Sequence, residues 1–162
     1  MKNDDAVQLC LEMGASFDVG HYGGSMLKTM MWSDDVNTVR HLVQRYKVDI
    51  NACGSKEPPP LTYAARYSRG NKMEDISIME LLIASGASVN PTGRVSDLPL
   101  AAAATSSQFP AEKVKLLLQH GAIPAKEILV YAETMFSHAR EKHEREVAVG
   151  LIRQWLHENR GE

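Results

Sequence analysis

Six histidines and two cysteines are the residues here most able to do chemistry. His138 and His143 stand five apart. A two-histidine zinc site on a helix needs an i, i+4 pair, so these two do not share the required face. His120 falls just before a turn glycine, which reads as a structural position. Cys10 sits on an apolar stripe and reads as core rather than nucleophile. Cys53 lies in a predicted loop with no partner identifiable in the sequence. The glycine-rich "GHYGGS" at 20–25 lacks a phosphate-loop lysine and a preceding strand, so a hairpin turn is expected there. "EPPPL" at 57–61 imitates a polyproline ligand, but a helix start accounts for two of its three prolines. "SRGNKMED" gathers Arg69, Lys72, Glu74 and Asp75. That set would serve an enzyme only if a pocket made it converge, and the spacing carries no recognisable catalytic geometry. The expectation is therefore a chain without catalysis, metal or cofactor.

Composition narrows the class further. The 162 residues are 44% hydrophobic and 23% charged, which suits one soluble, folded domain. The formal net charge of -2 gives no basic surplus for nucleic acid. One cysteine pair is no disulfide framework and suggests a reducing compartment. The start, "MKNDDAVQLCLEMG", is acidic where a secretory leader is basic. Nothing approaches the roughly 18 apolar residues of a membrane helix. A cytoplasmic monomer is the reading.

What positions the remaining residues is a repeat. "MGASFD" at 13–18, "YKVDIN" at 46–51, "SGASVN" at 85–90 and "HGAIPA" at 120–125 are versions of one turn. Aligned on Ala15, Val48, Ala87 and Ala122, they lie 33, 39 and 35 residues apart. Each follows an apolar triplet at i, i+3, i+4. The triplets are Val7, Cys10, Leu11; Val39, Leu42, Val43; Met79, Leu82, Ile83; and Val114, Leu117, Leu118. That spacing puts three apolar groups on one stripe of a short helix. Ala148, Leu151, Ile152 and Trp155 extend the pattern to a fifth helix. Gly14, Gly86 and Gly121 each follow such a helix, where glycine allows the left-handed conformation that ends it. Tyr46-Lys47 replaces the glycine in the second copy, so an altered turn is expected there. A second helix precedes each triplet. "PPPLTYAARY" at 58–67 and "LPLAAAATSS" at 98–107 set proline in a first turn. Ala64, Ala65, Ala103 and Ala104 are small where helices must approach closely. "SMLKTMMW" at 25–32 fills the same place with Met30 and Met31.

With these features the sequence resembles the ankyrin repeat family. The resemblance is carried by Pro60-Leu61 with Ala64-Ala65 and by Pro99-Leu100 with Ala103-Ala104. Its turns are Gly14-Ala15-Ser16-Phe17-Asp18 and Gly86-Ala87-Ser88-Val89-Asn90. It implies an all-α solenoid of stacked helix-turn-helix pairs with short hairpin-like fingers. Residues 1–162 would form a single domain: a half repeat at 1–20, repeats at 21–52, 53–90 and 91–124, and a cap at 125–162. "KEILVYAETM" would be the cap's inner helix. "SHAREKHEREVAVGLIRQWLHENR" would be its outer one, a polar lid on the last apolar face. Lys28, Thr62 and Ala101 stand where the family has histidine, which puts the family's hydrogen-bond network in doubt. "YSRGNKMEDIS" at 67–77 inserts about six residues between helices, and "SSQFPA" at 106–111 fewer. Such loops either carry function or record drift.

The resemblance further implies a module that binds another protein along a concave groove. Its contacts would be His21, Tyr22, Lys56, Glu57, Arg94 and Asp97 on the fingers. Trp32, Arg66, Tyr67 and Thr105 would join them from the inner-helix ends. Tryptophan, tyrosine and arginine are the types enriched at binding hot spots. A bacterial or phage immunity protein that sequesters a toxin or enzyme is one specific expectation. A host-directed effector or adaptor is the alternative, and an enzyme with its site in the 67–77 insertion is the reading from another class.

Overall fold

A computed structural model of the chain describes residues 13, 31, 36–46, 48–51, 58–68, 70–135 and 142–159, without the side chains of 38, 41, 42, 45 and 46. The described residues are helical and contain no strand. Seven α-helices follow one another: α1 (Val36–Tyr46), α2 (Pro60–Arg66), α3 (Lys72–Ala84), α4 (Pro99–Ala104), α5 (Pro110–Gln119), α6 (Lys126–Met135) and α7 (Lys142–Glu158). No described helix is long and apolar enough to cross a membrane.

Proline opens α2, α4 and α5, where a missing N–H costs nothing. Glycine closes α3 and α5. Gly86 has φ 95° and Gly121 φ 81°, a region other residues enter only with strain. Each glycine turn makes the same two bonds. Gly86 N donates to Ile83 O and Ala87 N to Leu82 O; Gly121 N donates to Leu118 O and Ala122 N to Leu117 O. This is the Schellman arrangement, which satisfies carbonyls a helix end leaves open. Ala87 and Ala122, just past the turn, are buried.

The helices fall into two layers. In one layer α4 packs on α2, and α6 on α4; in the other α1, α3, α5 and α7 pack in sequence order. Each short helix also packs on the longer one that follows it. The short helices approach closely because their contact residues are small: Ala65 and Ala101 to Ala104 are at most 1% exposed. The longer helices supply the stripe residues Val39, Val43, Met79, Leu82, Val114, Leu117, Ala148 and Ile152, all buried. Leu151 and Trp155 are half-buried.

Three local expectations change. The finger before α4 forms a 3-10 turn over Val95–Asp97 rather than a hairpin. Only residues 67–71 join α2 to α3, because the rest of the expected insertion is the first turns of α3. Asn71 sets that start, its side chain accepting from Met73 N and Glu74 N. The outer helix, expected as a polar lid, leaves Val147 44% exposed, and the inner helix α6 leaves Val130 60% and Met135 50% exposed.

Candidate functional site

The third finger brings together three of the expected contact residues, Arg66, Arg94 and Asp97. Arg94 Nε lies 2.8 Å from Asp97 Oδ2, a bond that raises the guanidinium pKa further. The buried Thr62 hydroxyl donates to Asp97 O at 2.6 Å, tying α2 to the next finger. Arg66 donates to Ser96 O, one residue away. The finger is thus held from two sides by α2. Thr105 turns back onto its own helix, donating to Ala101 O at 2.9 Å. Tyr67 remains 44% exposed, its ring 4.6 Å from that of Tyr63. His21, Tyr22, Trp32, Lys56 and Glu57 lie outside the described residues, as do Cys10, Cys53, Arg69 and His138.

A second constellation, which the sequence did not single out, lies between the layers. Lys113 of α5 is wholly buried. Its Nζ donates to Ala65 O at 3.2 Å, Tyr67 O at 2.8 Å and Ser106 Oγ at 3.2 Å. Burial pushes its pKa down to about 8, and the Asp75 carboxylate partly offsets this. Ser68 bridges onward to Asp75 and, at 3.0 Å, to Gln108. A serine beside a lysine of depressed pKa is the pairing a lysine-activated nucleophile uses. Here Ser106 is 1% and Lys113 0% exposed, and the nearby space beside Ser68 and Asp75 is about 20 Å3, room for one water. The pair's work is structural: α2 ends without a glycine, and Lys113 satisfies its final carbonyls instead. Arg145 of α7 donates to Ser106 O at 3.1 Å, two residues past the end of α4.

The insertion's other groups are also placed. Lys72 pairs with Glu112, and that bond holds the Glu112 carboxyl below the usual carboxylate range. Asp75 is buried in the lysine seam, away from Lys72 at the surface. Among the described residues no three His, Cys, Asp or Glu side chains gather as metal ligands.

Larger concavities flank α6. One, of about 530 Å3, lies between the third finger and the helix, against Val95, Tyr131, Thr134 and Met135. The other, of about 780 Å3, lies between α6 and α7. Lys126 and Val130 form the ridge between them and line both. No sequence pattern marked these surfaces, because α6 repeats the apolar spacing of inner helices that are covered. No family model, no curated protein and no solved structure matches the chain.

Proposed function

We propose that the chain is an ankyrin-type solenoid that binds another protein along the face formed by its inner helices and fingers. The observation that carries this reading is the groove between the third finger and α6, where Val95, Tyr131 and Met135 present apolar surface beside charged Lys126 and Glu127. Exposed Tyr67 lies further along the inner-helix layer. The in-order layers and recurring glycine turns support the solenoid half of the reading. An adaptable apolar strip beside charge suits a protein partner better than a small molecule, which needs a more enclosed site. The narrower form of the proposal is an immunity or inhibitor protein that holds a toxin or enzyme one to one.

Capture from the source cell's lysate tests it, with wild type set against a folded Tyr67→Ala, Tyr131→Ala, Met135→Glu variant. The expected result is one protein retained by wild type and lost by the variant. If that protein is an enzyme, binding should silence it. A partner held equally by both baits removes this face from the reading.

A further inference from the structure

We propose that the far side of the last helix pair is a second docking surface, which takes an α-helix of a partner protein bearing an apolar stripe flanked by carboxylates. The argument begins with an asymmetry between inner helices. α4 has α2 on one side and α6 on the other, and all six of its residues are buried. α6 has α4 on one side and no described helix beyond it, and only Ile128 and Ala132 are buried. Val130 is left 60% exposed. The surface therefore repeats a helix-packing face without the helix that would cover it.

The groove there has the size and lining for such a helix. Its volume is about 780 Å3. Two turns of helix, about 10 Å across and about 11 Å long, occupy on the order of 800 Å3. Leu129, Val130 and Leu156 supply the apolar lining, and Lys126, Arg153 and His157 supply the polar rim. No acidic residue lines it. Lys126 forms no ion pair among the described residues, and Arg153 shares its charge with the exposed Glu133. Ridges of a helix fit between two helices already packed side by side, and an amphipathic helix is a common guest in such a groove. The apolar lining would supply affinity, while Lys126 and Arg153 on the rim select carboxylates and set orientation. This surface does not depend on the ankyrin-type reading, since it follows from packing and charge at one end of the array.

The test uses the full chain and a displayed library of peptides about 16 residues long, with leucine fixed at one helical stripe and the flanking positions randomised. The expected result is enrichment of aspartate and glutamate in the flanks. A selected peptide, labelled for fluorescence anisotropy, should bind Arg153→Glu, His157→Glu protein at least tenfold more weakly. Met135→Glu, in the other groove, should bind it as wild type does. The changed side chains are exposed, and circular dichroism checks the fold. Lys126→Glu replaces the double variant if that fails to fold. No enrichment, flanks without acidic bias, or equal binding by the charge-reversed protein overturns the proposal. So does self-association of the wild-type chain in the ultracentrifuge that the charge reversal abolishes, because the occupant would then be a second copy.

Discussion

Lys113 heads the fully buried side chains by volume, and with a pKa of about 8 it is still charged at neutral pH. Three acceptors make that tenable, since an ammonium has three protons to donate. Taking away one side of such an arrangement costs more than the arrangement contributes, because the carbonyls it served stay buried. Lys113→Met should therefore destabilise the fold by about 2–4 kcal/mol at pH 7, read as a lower urea midpoint. Wild type should also show a pH dependence that the variant lacks. The folded-state pKa lies below the unfolded value of about 10.4, so the unfolded chain holds more protons between the two. Stability conferred by this site is lowest below pH about 8 and rises towards pH about 10.4, by on the order of 3 kcal/mol. Asp75 on α3 is the carboxylate whose charge acts on the amine. Subtracting the Lys113→Met curve removes other lysines and tyrosines from the comparison. A flat difference between pH 8 and 10.5 would mean that the amine stays charged in the fold.

Between elements, the recurring turns are clamped by asparagine. Asn51 donates to Gly86 O at 3.1 Å and accepts from Ser88 N at 2.8 Å. Asn90 repeats this one turn later, with Gly121 O at 2.8 Å and Ile123 N at 2.9 Å. Ala125 holds the corresponding place after Gly121, so the ladder stops where no further turn is described. Asn90→Ala removes both bonds across one turn pair and should cost about 1–3 kcal/mol, measured as a lower melting temperature. Asn90→Asp keeps the acceptor and loses the donor, and should fall between. If both variants melt with wild type, the ladder is decoration on turns held by glycine alone. Most helices were legible because their signals are local: Pro60 and Pro99 at starts, Gly86 and Gly121 at ends, and triplets on one stripe between, whereas Pro110, read as part of an insertion, opens α5. Lys113 was not legible. In "AEKVKLLL" it looks like Lys115, yet Lys115 is exposed, and what buries Lys113 lies 46 to 48 residues earlier in the chain. The open face of α6 was hidden for the opposite reason. Val130 carries an inner-helix pattern, and only the absence of a described neighbour leaves it exposed.

Among the described residues packing runs almost wholly within a helix pair or between neighbouring pairs, so stability should be close to a sum of helix-pair terms and the interfaces joining them. The interface with most to lose is the middle one. Ala103 of α4 is 0% exposed, with α2 and α6 on either side. Ala103→Leu forces methylenes into a space sized for a methyl group, at a cost of about 1–3 kcal/mol. Because that cost falls on couplings in both directions, it should do more than lower the midpoint. In a Trp32→Phe background, fluorescence from Trp155 on α7 reports the C-terminal end alone, while far-UV dichroism reports every helix. The two urea transitions should coincide in the parent, where strong interfaces make the array act as one unit. In Ala103→Leu they should separate. Ala132→Leu on α6 applies the same change next to the open end, where the overpacked helix has a neighbour on one side only. It should move the Trp155 transition to lower urea more than the dichroism. If Ala103→Leu instead shifts both probes together, couplings beyond nearest neighbours hold the chain, and the additive picture is wrong for it.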